Sequence, residues 1–225
     1  MPPSAKHPAT PVYIESGAKR VFACAAGWPG WCRSGKDEAS ALAALIAYAP
    51  RYAPVAKRAR IPFPTGSVEL RVAERVRGGP TTDFGAPEKA TKGDVKPVPK
   101  AEAERLAALV SAAWAAFDGV VAGAPGALRK GPRGGGRDRD KIVDHVLGAE
   151  AAYVRKLGLR LPQPGPNDRA AVTAFRRAII ETLRKPSSGA PLTEKGWPQR
   201  YAARRIAWHV LDHAWEIEDR SEPSG

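Results

Sequence analysis

Four histidines occur in the 225-residue chain, and three of them are spaced as metal ligands. His209 and His213 lie four residues apart in RYAARRIAWHVLDHAWEIEDR, residues 200–220. On a helix that spacing puts both imidazoles on one face. The same stripe holds Ile206, Val210 and Ile217, so the rings are expected to point inward. His145, in DRDKIVDHVLGAEAAYVRKLG, adjoins a second helical stripe formed by Ile142, Val146, Ala149, Tyr153 and Leu157. The fourth, His7, falls in the N-terminal tail. Three neutral imidazoles around a divalent cation leave open positions for water or substrate, the coordination of a catalytic zinc ion rather than a closed structural one. Zinc is the first choice, with nickel, manganese and iron as alternatives. Such a metal lowers the pKa of a bound water or thiol and creates a nucleophile near neutral pH. Metal-bound histidines usually donate their other ring nitrogen to an acceptor. Asp144, Glu150, Asp212 and Glu216 are near enough in sequence to serve. Taken alone, an H-x-x-x-H pair is more often a packed or surface pair than a metal site. The third histidine, on another inward face, strengthens the case for a metal.

A second candidate is the loop LRKGPRGGGRDRDK, residues 128–141, which ends where the His145 helix begins. Its glycines let backbone N–H groups converge, and a helix N-terminus follows, so it can hold a carboxylate or phosphate. Arg133 and Arg137 are the first choices for anion or substrate binding. The alternative is a basic loop with no ligand.

The elements that must carry these residues divide by composition. Residues 1–11 read as a disordered tail, and VYIES and RVFACAA as strands joined by a GAK turn. A Pro/Gly loop follows, then a helix from Ala39 to Tyr48 capped by Ser34 or Asp37. SVELRVAERV alternates as a further strand, giving β-β-α-β over residues 1–77. Residues 78–100 are rich in Gly, Pro and Lys and read as a linker, although TTDFGAP within it is a candidate for packing on a domain. Residues 101–225 read as about four helices. The fold class expected is thus α+β in two domains. Trp28 and Trp31, flanking a Pro-Gly turn, are expected to close the small core or dock on the helices.

Net charge is +13, which permits nucleic acid or an anionic substrate and requires neither. No run approaches 18 consecutive apolar residues, so no membrane span is expected. The first residues lack the apolar core of a secretory signal. Cys24 and Cys32 are accordingly expected to be reduced thiols in a cytoplasm, with Cys32 inert.

HVLGAEAAYVRKLG and RRIAWHVLDHAWEIEDR resemble the DinB (DinB/YfiT-like) superfamily over roughly residues 101–220. That resemblance implies a four-helix bundle. It also implies a metal held by one histidine on the second helix, followed five residues later by a glutamate, and by an H-x-x-x-H pair on the last. His145 with Glu150, and His209 with His213, fall on this pattern. It further implies transferases or isomerases using a low-molecular-weight thiol such as mycothiol, bacillithiol or glutathione, or metal-dependent hydrolases, acting on small molecules, with homodimers among them. VFACAAGWPGWCRSGKDEASALAALIAYAPRY is similar to the HicB-like domain over roughly residues 12–76, through Pro29, Gly30, Cys32, Ser34, Gly35 and Glu38. That family suggests an alternative: a non-catalytic binding or regulatory protein whose small module engages nucleic acid or a protein partner, with the bundle as scaffold. No helix-turn-helix or ribbon-helix-helix segment accompanies it, so nucleic acid is not the favoured partner.

Overall fold

The computed structural model describes residues 9–64, 68–131 and 135–221. It is a mixed α/β chain: a four-stranded sheet near the N-terminus, then long helices. His7 and Arg133 lie outside the described residues. The strands are β1 (Thr10–Ser16), β2 (Val21–Ala25), β3 (Cys32–Gly35) and β4 (Leu70–Arg77), in the order β3-β2-β1-β4. β1 and β2 are antiparallel, as are β2 and β3, whereas β4 joins β1 in parallel. A parallel return needs a crossover, and α1 (Glu38–Ala47) and α2 (Ala49–Arg58) supply it.

The small half departs from the sequence reading at several places. Thr10 and Pro11, assigned to the tail, begin β1; Thr10 N–H donates to Glu69 O at 2.8 Å. The Pro/Gly stretch is a tight turn rather than a long loop. Ala25 N–H donates to Trp31 O and Trp31 N–H to Trp28 O, with Gly30 at φ 94°, so β3 starts at Cys32 and Ser34 lies in a strand. The helix expected over Ala39–Tyr48 is present as α1, and a second helix that the sequence reading did not assign, α2, follows it, entered through a proline in its first turn, where the missing N–H costs nothing. Asp37 is the cap of α1: its carboxylate accepts from Ser40 N–H at 2.7 Å, and Ser40 Oγ accepts from Asp37 N–H.

The strands β1 and β2 are buried on both faces, whereas β4 exposes alternate residues. Val12, Ile14, Ala23 and Ala25 share a core with Trp31, Leu45 and Tyr52. Trp31 is fully buried, its indole N–H donating to Leu45 O at 2.9 Å, and Tyr52 Oη donates to Pro29 O. Tyr13, Phe22, Cys24 and Cys32 pack on the other side against Trp208. Cys24 and Cys32 stand directly opposite in the non-hydrogen-bonded register, where cross-strand side chains are closest, with Cα atoms 4.1 Å apart. They are joined as a disulfide, which corrects the expectation of two reduced thiols.

Residues 78–100, expected as a linker, contain α3 (Pro80–Phe84) and strap the sheet to the last helix. The fully buried Glu15 carboxylate accepts from Thr82 Oγ1 at 2.6 Å and from the N–H groups of Glu88 and Lys89. Asp94 receives the Arg204 guanidinium, which also donates to Tyr13 Oη. All three are buried. Buried charges persist only when paired, so these contacts fix both the strap and the helix carrying Arg204.

The helical half comprises α4 (Lys100–Gly123), α5 (Arg139–Lys156), α6 (Arg169–Leu183) and α7 (Gln199–Ser221). α4 is long and apolar enough to cross a membrane by composition, yet Leu106, Leu109, Val110, Trp114 and Phe117 are core residues packed within the chain. α7 is the central element, packed on α4 and α5 and, through Trp208, on the sheet.

Candidate metal centre

α5 and α7 bring the three histidines together. Ile206, Val210 and Ile217 of α7 and Ile142 and Val146 of α5 are fully buried, so the helices meet along the stripes that carry the imidazoles. His145 Nε2 and His209 Nε2 are 3.3 Å apart. Ring centroids are 5.1 Å apart for His145–His209, 5.0 Å for His145–His213 and 4.7 Å for His209–His213. One nitrogen from each lies within 4.8 Å of the other two. Tetrahedral zinc with bonds of about 2.0–2.1 Å places its ligand nitrogens about 3.3–3.4 Å apart. The His145–His209 pair already has that separation, and a His213 nitrogen lies within 4.8 Å of both.

Protonation favours ligation. Burial pushes His209 well below the ordinary histidine range, and the charges of His213, His145, Arg205 and Arg137 add to this. Burial, then His213 and Arg137, lowers His145 as well. Both rings are therefore neutral at pH 7, with lone pairs available. His213 Nδ1 is 2.7 Å from Glu216 Oε2. That contact, the largest influence on Glu216, holds its carboxyl below the ordinary range, so Glu216 is ionised. An ionised carboxylate only accepts, so His213 Nδ1 carries a proton in this contact and Nε2 is the nitrogen left for a metal. Glu216 Oε1 in turn accepts from Arg220 Nη1 at 2.7 Å. His209 Nδ1 is buried without a partner among the described residues.

The other three carboxylates named from sequence go elsewhere. Asp212 pairs with Arg33 of β3 at 3.0 Å. Asp144 accepts from Gln163 Nε2 at 3.3 Å and acts on His145 only through space. Glu150 is buried on another side of α5, where it accepts from Trp114 Nε1 at 2.5 Å and lies 3.8 Å from Arg176 Nε. Its position five residues after His145 turns it about 140° away around the helix.

The Gly-Arg loop is fastened to the end of α7. Arg129 N–H donates to Arg220 O at 3.0 Å, and Arg220 Nε donates back to Arg129 O at 2.8 Å. Gly136, at φ 111°, lies so close that a Cβ there would stand 2.7 Å from Arg220 Nη2. Arg137 follows it, exposed, with its charge reaching His145 and His209.

Sequence reasoning missed a wall of residues on the other flank. Arg205 lies one turn before His209, with its guanidinium 4.9 Å from the Trp208 ring and 5.7 Å from the Tyr153 ring. Tyr153 meets His209 at 5.8 Å and Trp197 at 5.1 Å. The i, i+4 relation of Arg205 to His209 was the available signal. A cleft of about 730 Å³ between α2, α4 and α7 is lined by Leu211, Ala214 and Trp215, on the opposite face of α7 from the histidines. Comparison with known proteins finds no matching family model, no matching curated protein and no matching solved structure, so the likeness to the DinB and HicB families rests on the quoted motifs alone.

Proposed function

We propose that this chain is a metal-dependent enzyme of DinB-like type, a thiol- or water-dependent transferase or hydrolase of small molecules. The observation that carries the reading is the convergence of three imidazoles from two helices, with two Nε2 atoms 3.3 Å apart. In the absence of a cation, two neutral imidazole nitrogens facing each other satisfy at most one N–H···N bond, and the third ring adds another lone pair. A divalent ion satisfies all three. Bound there, zinc would supply Lewis acidity, lowering the pKa of a water or thiol in its open position.

The chain's own residues do the rest. His145, His209 and His213 hold the ion as neutral donors. Glu216 orients His213 through Nδ1, and Arg220 fixes Glu216. The buried Arg204–Asp94–Tyr13 cluster holds α7 in place one turn before His209. His145 and His213 are only partly buried, unlike His209, which leaves a side by which a small molecule can approach.

The test is thiol activation. Zinc-loaded protein should accelerate alkylation of a small thiol by monobromobimane below pH 7, where the free thiol is largely protonated. His209→Ala should abolish the acceleration. Equal rates with and without the protein, for a panel of thiols and for activated esters, would reject the enzymatic reading.

A further inference from the structure

We infer that the ligand of this centre is anionic, carrying a carboxylate at a distance from its metal-binding atom, and that Arg137 and Arg205 select it. The inference rests on the metal reading above. It follows from which charges around the triad are already matched. Arg33 is matched by Asp212 at 3.0 Å, Arg220 by Glu216 at 2.7 Å and Lys130 by Asp138. Arg137 and Arg205 have no carboxylate partner among the described residues. They flank the triad from two directions. Arg137 comes from the loop before α5, next to Gly136, which stands against Arg220, the partner of Glu216. Arg205 comes from α7, one turn before His209.

Arg205 is also held in place. Its Nη1 donates to Pro87 O at 2.6 Å, and its guanidinium lies over the Trp208 ring at 4.9 Å and the Tyr153 ring at 5.7 Å. A guanidinium carries five N–H donors, so most remain free for a ligand. Its fork matches a carboxylate, and the aromatic contacts lower the entropy lost on binding. Glu216, the carboxylate in contact with the triad, is shared between His213 and Arg220. A divalent ion would add two more positive charges to two unmatched guanidinium groups, against the single carboxylate nearby without a cationic partner among the described residues, Asp144. Such an excess in a partly buried site favours a ligand with negative charge beyond that of the donor atom.

The experiment uses the full chain loaded with cobalt(II), titrated with 4-mercaptobutyrate and with neutral 4-mercapto-1-butanol. In 4-mercaptobutyrate the carboxylate is too far from sulfur to chelate the same ion readily. The thiolate-to-cobalt absorption reports binding. The wild type should bind the carboxylate-bearing thiol about tenfold more tightly, and raised salt should narrow the gap. In Arg137→Ala/Arg205→Ala the two affinities should fall within about twofold of each other, with cobalt content unchanged. Equal affinities in the wild type, or a preference that survives in the double variant, would overturn the inference. Failure to retain cobalt overturns the metal reading instead, and the inference with it.

Discussion

Glu150 offers a quantitative test of the packing that positions α5. Its carboxylate is buried against Trp114 and Arg176, and burial pushes its pKa from an ordinary 4.5 up to about 7. Arg176 and the Trp114 hydrogen bond pull the other way but do not offset the desolvation. A carboxyl whose folded pKa is raised destabilises the fold when ionised. Its penalty is absent below pH 4.5, grows as pH rises through 4.5 to 7, and is full above. For a single group with those two values, the penalty is about 1 kcal/mol at pH 5.5 and about 3 kcal/mol at pH 8. Glu150→Gln keeps the shape and an acceptor for Trp114 but cannot ionise. Whatever constant offset the amide introduces, the stability difference between variant and wild type should therefore shift by about 2 kcal/mol in the variant's favour between pH 5.5 and pH 8. Urea unfolding of the metal-free proteins at the two pH values measures it directly. Parallel pH profiles would show that Glu150 is not desolvated as described and that α4, α5 and α6 pack differently.

Arg204→Met strands Asp94 among buried groups and should lower stability by about 3–5 kcal/mol in urea unfolding, whereas removing an exposed pair such as Arg75–Glu38 by Arg75→Ala should leave the unfolding midpoint nearly unchanged. Glu216→Gln should weaken zinc affinity about 10–100-fold in chelator competition without unfolding the chain, because it loosens one ligand and removes none. Burial holds His145 and His209 below their ordinary pKa of 6.5, so protons compete for them only at lower pH. Zinc retention followed by dialysis should accordingly persist through pH 6.5 and fail below it; loss beginning above pH 7 would contradict the buried geometry.

The helices that carry the site were legible because their apolar residues recur at helical spacing over 15 residues or more, and the Asp37 cap because a short acidic side chain precedes an apolar run. β3 was not. Its four residues, Cys32–Gly35, lie among Trp, Pro and Gly and show no alternation long enough to register. Without β3, the opposition of Cys24 and Cys32 could not be seen. The strap at 78–100 was hidden for a different reason. Its order comes from single polar groups, Thr82 and Asp94, whose partners Glu15 and Arg204 lie more than 60 residues away. Local composition carries no trace of such pairings. At the site, spacing along one helix selected His209 with His213 and placed Glu216 within reach. It could not say which face of α5 meets α7, and Glu150, counted with His145 by its motif, faces another side. Arg205, Tyr153 and Trp197 converge only once α5, α7 and the turn before α7 are assembled.

The central claim is that three histidines on two helices hold a metal. Elemental analysis of the purified, untagged protein, beside His145→Ala/His209→Ala/His213→Ala, addresses it most directly. About one metal ion per chain is expected for a single three-histidine site, and none in the triple variant. No metal in the wild type after exposure to zinc, nickel, manganese and iron, or equal metal in the variant, would contradict the account and reduce the triad to packing side chains.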